Sequence, residues 1–447
     1  FPPSLITGPL IPEILIFLIN ILFIINLKKI KISQQEKKIL FFLLLWWLFL
    51  VLRSLFSTEI FLSSKATIFY FRYILFAAAI YFFYLKNISS IKYLAYSIIF
   101  CFLILIIDSS FQFFLGKNIL GYTKYGLIGN YEVIRLGSLF GDELILGSYL
   151  SKFFPYIILI IFFLKDFRNK IFLFIICPLA IFTIFLSGER QAFYSTVIFL
   201  ILLFPILNKK NIFVFLNLVF FSFILIYFIT FFNSNITKRM FYPIKNIQIL
   251  VNNYIFKDTS NNINNLDNDS SEFSVENIKN LNNLIIFSPQ HTSHFKVAMA
   301  MFEDNIYFGK GPNSFRKLCL DEKYKIYLPK NQNGCSTHPH NFYLQNLAET
   351  GIIGFFVIFY FFVFVVIKYL LIIYNNIFNA STHSVLNYPK IIMYAHIIVL
   401  LNPLMTNGNF FNNYLNILHF YIFSLNFIII NNSRLVQKLL DKKFKFF

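Results

Sequence analysis

The stretch "STHPHNFYLQNLAETGIIGFFVIFYFFVFVVI", residues 336–367, sets two chemistries side by side. Its second half, Phe355 to Ile367, carries no charge and continues into a run that can cross a bilayer. Its first half holds two titratable imidazoles, His338 and His340, around a proline. Pro339 biases His338 towards extended backbone, and the polar His340–Asn341 pair suits a helix entry. From Asn341 to Thr350 the pattern reads as a short helix with Gly351 as its stop. His340, Leu344 and Leu347 then share one face, which puts an imidazole on an ordered element at the lip of a membrane.

Apolar runs of this kind recur through the 447 residues. The chain is 57% hydrophobic and 13% charged, against about 25% charged in soluble domains. Its mean hydropathy is +0.66. The expected fold is therefore all-α: a polytopic helical membrane bundle. Spans are expected near 10–27, 39–56, 68–85, 92–115, 143–164, 171–187, 191–207, 212–232, 352–374, 390–406 and 412–430.

The net charge of +19 does not argue for nucleic acid. Lys and Arg sit in short clusters between apolar runs, as positive-inside loops do. The basic loop 27–39 sets the cytoplasmic side, and alternation puts 86–92, 165–170, 208–211 and the C-terminal tail there too. This scheme leaves Phe1 outside, so a twelfth span is expected ahead of it in the intact chain.

The outward side then receives 116–143, the turn "SGERQ" at 187–191, and a long segment from about 233 to 350. The organisation expected is 1–232 with eight spans, 233–350 as a large outer loop, and 351–447 with three spans and a basic tail. Within the loop, the Asn-rich tract 258–272 reads as a loop of low complexity. The following "SPQHTSHFKVAMAMFEDN" reads as an amphipathic helix lying along the membrane surface. His291 and His294 on that helix are taken for an interfacial face.

Cys101 and Cys177 fall inside apolar runs and read as packing residues. Cys319 and Cys335 bracket a polar loop and can be oxidised if it lies outside. A disulfide there closes about 15 residues, worth up to about 3 kcal/mol in a chain-entropy model. The rival is a metal site with His338 and His340, although the spacing matches no standard zinc pattern.

His340, Asn341, nine residues, Gly351, two residues and Gly354 resemble the signature of bacterial O-antigen ligases. The related O-antigen polymerases and protein O-oligosaccharyltransferases share it. The approach "MFEDNIYFGKGPNSFR", with Gly309, Lys310, Gly311, Phe315 and Arg316, is similar to the family's, as is the arginine-bearing turn "LSGERQAF". The resemblance covers roughly 180–365 and implies a GT-C-like glycosyltransferase of the bacterial inner membrane, working on its periplasmic face. The glycan donor would be carried on undecaprenyl diphosphate, and the acceptor would be lipid A-core or a growing glycan. No cofactor or metal is implied, since the lipid diphosphate is the leaving group.

In that reading His340 is the general base or orienting group for the acceptor hydroxyl. Arg190 and Arg135, at outer span ends, hold the diphosphate, because guanidinium stays charged and grips phosphate oxygens in pairs. Arg316 is a further phosphate contact, whereas Lys310 reads as a solvated loop residue. His338, Asn341 and Glu189 support the site, and Gly351 and Gly354 let the next span pack closely. Asp108, Arg53 and Arg72 read as packing or anchoring groups.

A polymerase of the same superfamily is the alternative to a ligase. The rival class is a flippase for the same lipid-linked sugar. Transporters place polar groups near the midplane on broken, repeated helices, whereas here they gather at outer ends.

Overall fold

A computed structural model describes residues 1–123, 125–128, 131–163, 167–207, 209–232, 236–237, 239–241, 289–325, 335–378 and 387–433. The Asn-rich tract, the basic loop 165–170 in part and the C-terminal tail lie outside the described residues.

Each apolar run forms a helix. They are α1 (Leu10–Asn26), α2 (Gln34–Leu55), α3 (Ile60–Ile68), α4 (Phe71–Lys86), α5 (Ile91–Leu115), α6 (Leu146–Phe163), α7 (Phe167–Leu186), α8 (Arg190–Leu203) and α9 (Lys209–Phe232). A second group comprises α10 (Pro289–Glu303), α11 (Phe315–Leu318), α12 (Glu322–Lys325), α13 (Phe342–Phe378), α14 (Tyr388–Leu400) and α15 (Asn413–Asn431). Six helical stretches among the described residues are long and apolar enough to cross a membrane, and five further apolar helices are shorter. The chain is thus a polytopic helical membrane protein. Phe17, Ile25, Phe213, Phe231, Phe356 and Phe364 stand exposed on helix faces, where lipid is the natural cover.

The core centres on α6, whose Tyr149, Leu150, Phe153, Phe154 and Ile157 are fully buried. It packs against α5, α7, α8 and α14. The helix ends that charge alternation assigns to one side meet at one end of the bundle. There Tyr73 donates to Asn413 Oδ1 at 2.9 Å and Gln191 Nε2 to Asn407 Oδ1 at 3.0 Å.

Four departures from the sequence reading have local causes. The loop 116–143 contains an antiparallel hairpin, β1 (Tyr125–Ile128) with β2 (Tyr131–Ile134). Buried Asp108 anchors that loop by accepting from Ser138 Oγ at 2.6 Å and the Ile119 amide at 3.0 Å. The expected third span, 68–85, forms as α4, and a short helix that the sequence reading did not place, α3, precedes it across a break at Phe69–Tyr70. α14 stops at Leu400, six residues short, and Asn402–Asn412 becomes a hydrogen-bonded crossover at the polar end. Lastly, α10 does not present its apolar face outward. Val297, Ala298 and Met301 bury it in a small core with Phe315, Leu318, Tyr324 and Ala348. Cys319 and Cys335 are bonded beside that core, their Cα atoms 5.2 Å apart.

Gly351 explains how α13 serves two purposes. At φ 68° and ψ −166° it interrupts the helix in a region open only to glycine. At that break the segment 306–311 crosses the helix backbone to backbone. Lys310 N donates to Ala348 O and Gly311 N to Glu349 O, both at 2.8 Å, and Ile352 N donates to Ile306 O at 2.8 Å. A Cβ on Gly351 would strike the Tyr307 carbonyl, and one on Gly309 would strike the backbone of 349–351. Arg53, buried in α2, fastens the crossing by donating to the carbonyls of Phe308 and Gly309. Lys310, expected to be solvated, instead pairs with Asp304 at 3.2 Å. Gly354, a turn further on, faces Trp46 of α2.

We expect Gly351→Ala to cost about 1–3 kcal/mol from backbone strain alone, before any clash is relieved. Thermal unfolding in detergent would measure it. A midpoint equal to wild type would mean that the crossing is not tight.

Candidate functional site

Two arms meet at this end of the bundle. The imidazole arm begins at Asn341, which caps α13 by accepting from the amides of Tyr343 at 2.9 Å and Leu344 at 3.1 Å. Its Nδ2 donates to Pro403 O at 2.8 Å, tying the cap to the crossover segment. One residue earlier, His340 holds a left-handed φ of 58°, uncommon for any residue but glycine. Such strain persists only where neighbours over-determine it, and it concentrates at functional sites.

The neighbours are three more imidazoles. Ring centroids lie 4.1 Å from His340 for His338, 4.9 Å for His291 and 5.2 Å for His294. His291 and His294 therefore join the cluster around His340 and do not form the interfacial face expected of them. Their i, i+3 spacing placed both on one side of α10, but the packing of α10 onto the start of α13 determines what that side meets. His338 and His294 are buried, while His340 is half-buried, with Ser336 Oγ 3.3 Å from Nε2. Among the described residues no three His, Cys, Asp or Glu side chains are arranged to hold a metal ion, these four included.

Burial lowers all four imidazoles, and mutual repulsion adds to it for three. His291 and His294 fall to about 4 and His338 to about 3; burial lowers His340 as well. At neutral pH the cluster is uncharged, and an uncharged imidazole can accept a proton.

The arginine arm gathers on Glu189, in the turn between α7 and α8. Its carboxylate accepts from the first-turn amides of α6, Gly147 at 2.7 Å and Ser148 at 3.1 Å, so it serves as the cap of a neighbouring helix. Burial raises it to about 7 despite the nearby charges of Arg135 and Lys152. Lys152, buried on α6, donates to Ser148 Oγ at 2.6 Å. Arg135 reaches Leu144 O at 3.0 Å with one guanidinium nitrogen, while its buried Nε has no hydrogen-bond partner among the described residues.

Arg239, which no sequence motif singles out, completes the group. Its Nε donates to Gly188 O at 2.9 Å. Burial, then repulsion from Arg135 and Arg190, lowers it to about 10. Arg190 links the arms, since its charge acts on Arg135, Arg239 and also His291. Arg316 is exposed on α11, and its charge reaches His338 and Glu349. Glu349 is fully buried and accepts from the amides of Asn313 at 2.9 Å and Phe315 at 3.0 Å, which shapes the loop carrying Arg316.

Over residues 175–359 the chain matches the family model described as O-antigen ligase. That range contains Glu189, Arg190, Arg239 and the motif from His340 to Gly354; Arg135, Lys152 and the crossover Asn402–Asn412 lie outside it. No curated protein matches the chain.

The lowered imidazoles give stability a sign with pH. His291, His294 and His338 titrate below their ordinary 6.5, so the fold favours their neutral forms. Their contribution is full above about pH 6.5 and is lost as pH falls through about 4 and 3. Glu189 acts oppositely: raised from 4.5 to about 7, its contribution is full below 4.5 and fades as pH rises through 7. We expect the thermal midpoint in detergent to drop between pH 6.5 and 4, and His291→Gln to flatten that drop. An unchanged slope in the variant would count against the cluster as its origin.

Proposed function

We propose that the chain transfers a glycan from undecaprenyl diphosphate to an acceptor hydroxyl on lipid A-core, at the membrane face away from the cytoplasm. The observation that carries this reading is the meeting of three guanidiniums around Glu189 with a cluster of neutral imidazoles, Arg190 acting on both. Polar groups gathered at one end of the bundle suit a surface enzyme better than a transporter.

The chemistry follows from the residues. Arg135, Arg190 and Arg239 grip the diphosphate oxygens, and the orphaned Arg135 Nε is a donor that a phosphate oxygen would satisfy. The imidazole of His340 takes the proton of the acceptor hydroxyl. The hydroxyl oxygen forms its bond to the anomeric carbon as the carbon–oxygen bond to phosphate breaks. The released electron pair stays on the diphosphate, stabilised by the guanidiniums. Attack opposite the leaving group inverts the anomeric centre. In its ionised form Glu189 attracts Arg135 and Arg239 before the lipid arrives.

We expect His340→Ala to lower transfer about 10²–10⁴-fold while the lipid-linked glycan still binds. Arg190→Lys should raise the KM for the donor, because an ammonium lacks the paired grip. Purified protein in lipid, given a lipid-linked glycan and lipid A-core, provides the assay. Wild-type rates in His340→Ala would end the proposal. In a deletion strain, polymer left on undecaprenyl diphosphate supports a ligase, whereas core capped with one repeat unit identifies a polymerase.

A further inference from the structure

We infer that Asn407 is a positioning residue that sets the imidazole arm against the arginine arm. This rests on the transfer reaction proposed above. Asn407 lies in the crossover between α14 and α15, a stretch to which the motif gives no role. It is buried, and its backbone holds both histidines of the His-Pro-His turn. Asn407 N donates to His340 O at 2.7 Å, and Asn407 O lies 3.2 Å from His338 Nε2. Its side chain faces the other way. Oδ1 accepts from Gln191 Nε2 at 3.0 Å, and Gln191 is the residue after Arg190 in the first turn of α8.

The crossover is bound firmly to the imidazole arm. Asn341 donates to Pro403 O, Gln345 Nε2 to Asn409 Oδ1 at 2.9 Å, and Phe410 N to Gln345 Oε1 at 2.8 Å. The crossover is thereby tied to His340, and the Gln191–Asn407 hydrogen bond joins it to the first turn of α8, whose body also packs on α14; the bond sets the alignment of the two arms at their polar ends. Both side chains also line a cavity shared with Lys152, Ser195, His396 and His419.

A displacement of about 1 Å between reacting groups can cost about 100-fold in rate. We expect Asn407→Ala and Gln191→Ala each to lower kcat about 10- to 100-fold with the donor KM changed less than about 2-fold. The double variant should be no slower than the worse single one, since one interaction is removed either way. Gln191→Ala sits at a half-buried helical position, so its kcat and KM decide the matter even if Asn407→Ala fails to fold. Losses that multiply in the double variant, or a raised KM with kcat intact, overturn the inference. If His340→Ala transfers normally, the proposed reaction falls and this inference with it. If His340→Ala is dead but the two losses multiply, only the role of Asn407 falls.

Discussion

The close crossing of two backbones at Gly309 and Gly351 is the constraint from which the rest of the polar end is built. Side chains at either point would hold the strands apart, and the three hydrogen bonds between 306–311 and 348–352 would be lost. With the crossing made, the first two turns of α13 tilt away from its apolar part and become a platform. α10 packs on that platform, and only then do His291 and His294 come to His340. The motif glycines thus act at a distance from the imidazole they accompany in sequence.

A second constraint is electrostatic. Placing three guanidiniums near one another in a partly dry site is unfavourable without a counter-charge. Glu189 supplies one when ionised, and it is held in place by the amides that begin α6. The same carboxylate closes a helix and gathers cations. Removing it would expose two amide donors and release repulsion among Arg135, Arg190 and Arg239 together.

Much of this was legible in the sequence. Long apolar runs announce helices because lipid leaves the backbone no other partner, and each of the runs is helical here. The glycine stop at 351 and the cap at Asn341 were legible because both are local devices. What stayed hidden depends on contacts between distant segments. Arg239 gains meaning only from Gly188, and Asn407 only from Gln191 and His340. Two histidines at i and i+3 fit a wetted helix face and a buried cluster equally well. An asparagine-rich crossover carries no periodicity, and in a chain so rich in asparagine it does not stand out.

The site is divided along the chain as well as in space. The cationic arm comes from 135, 189–190 and 239, whereas the imidazole arm comes from 291–294 and 336–341. The surroundings of His340 can therefore be altered through 289–341 while Arg135, Glu189, Arg190 and Arg239 keep their own contacts, because the two groups are supplied by separate stretches of chain.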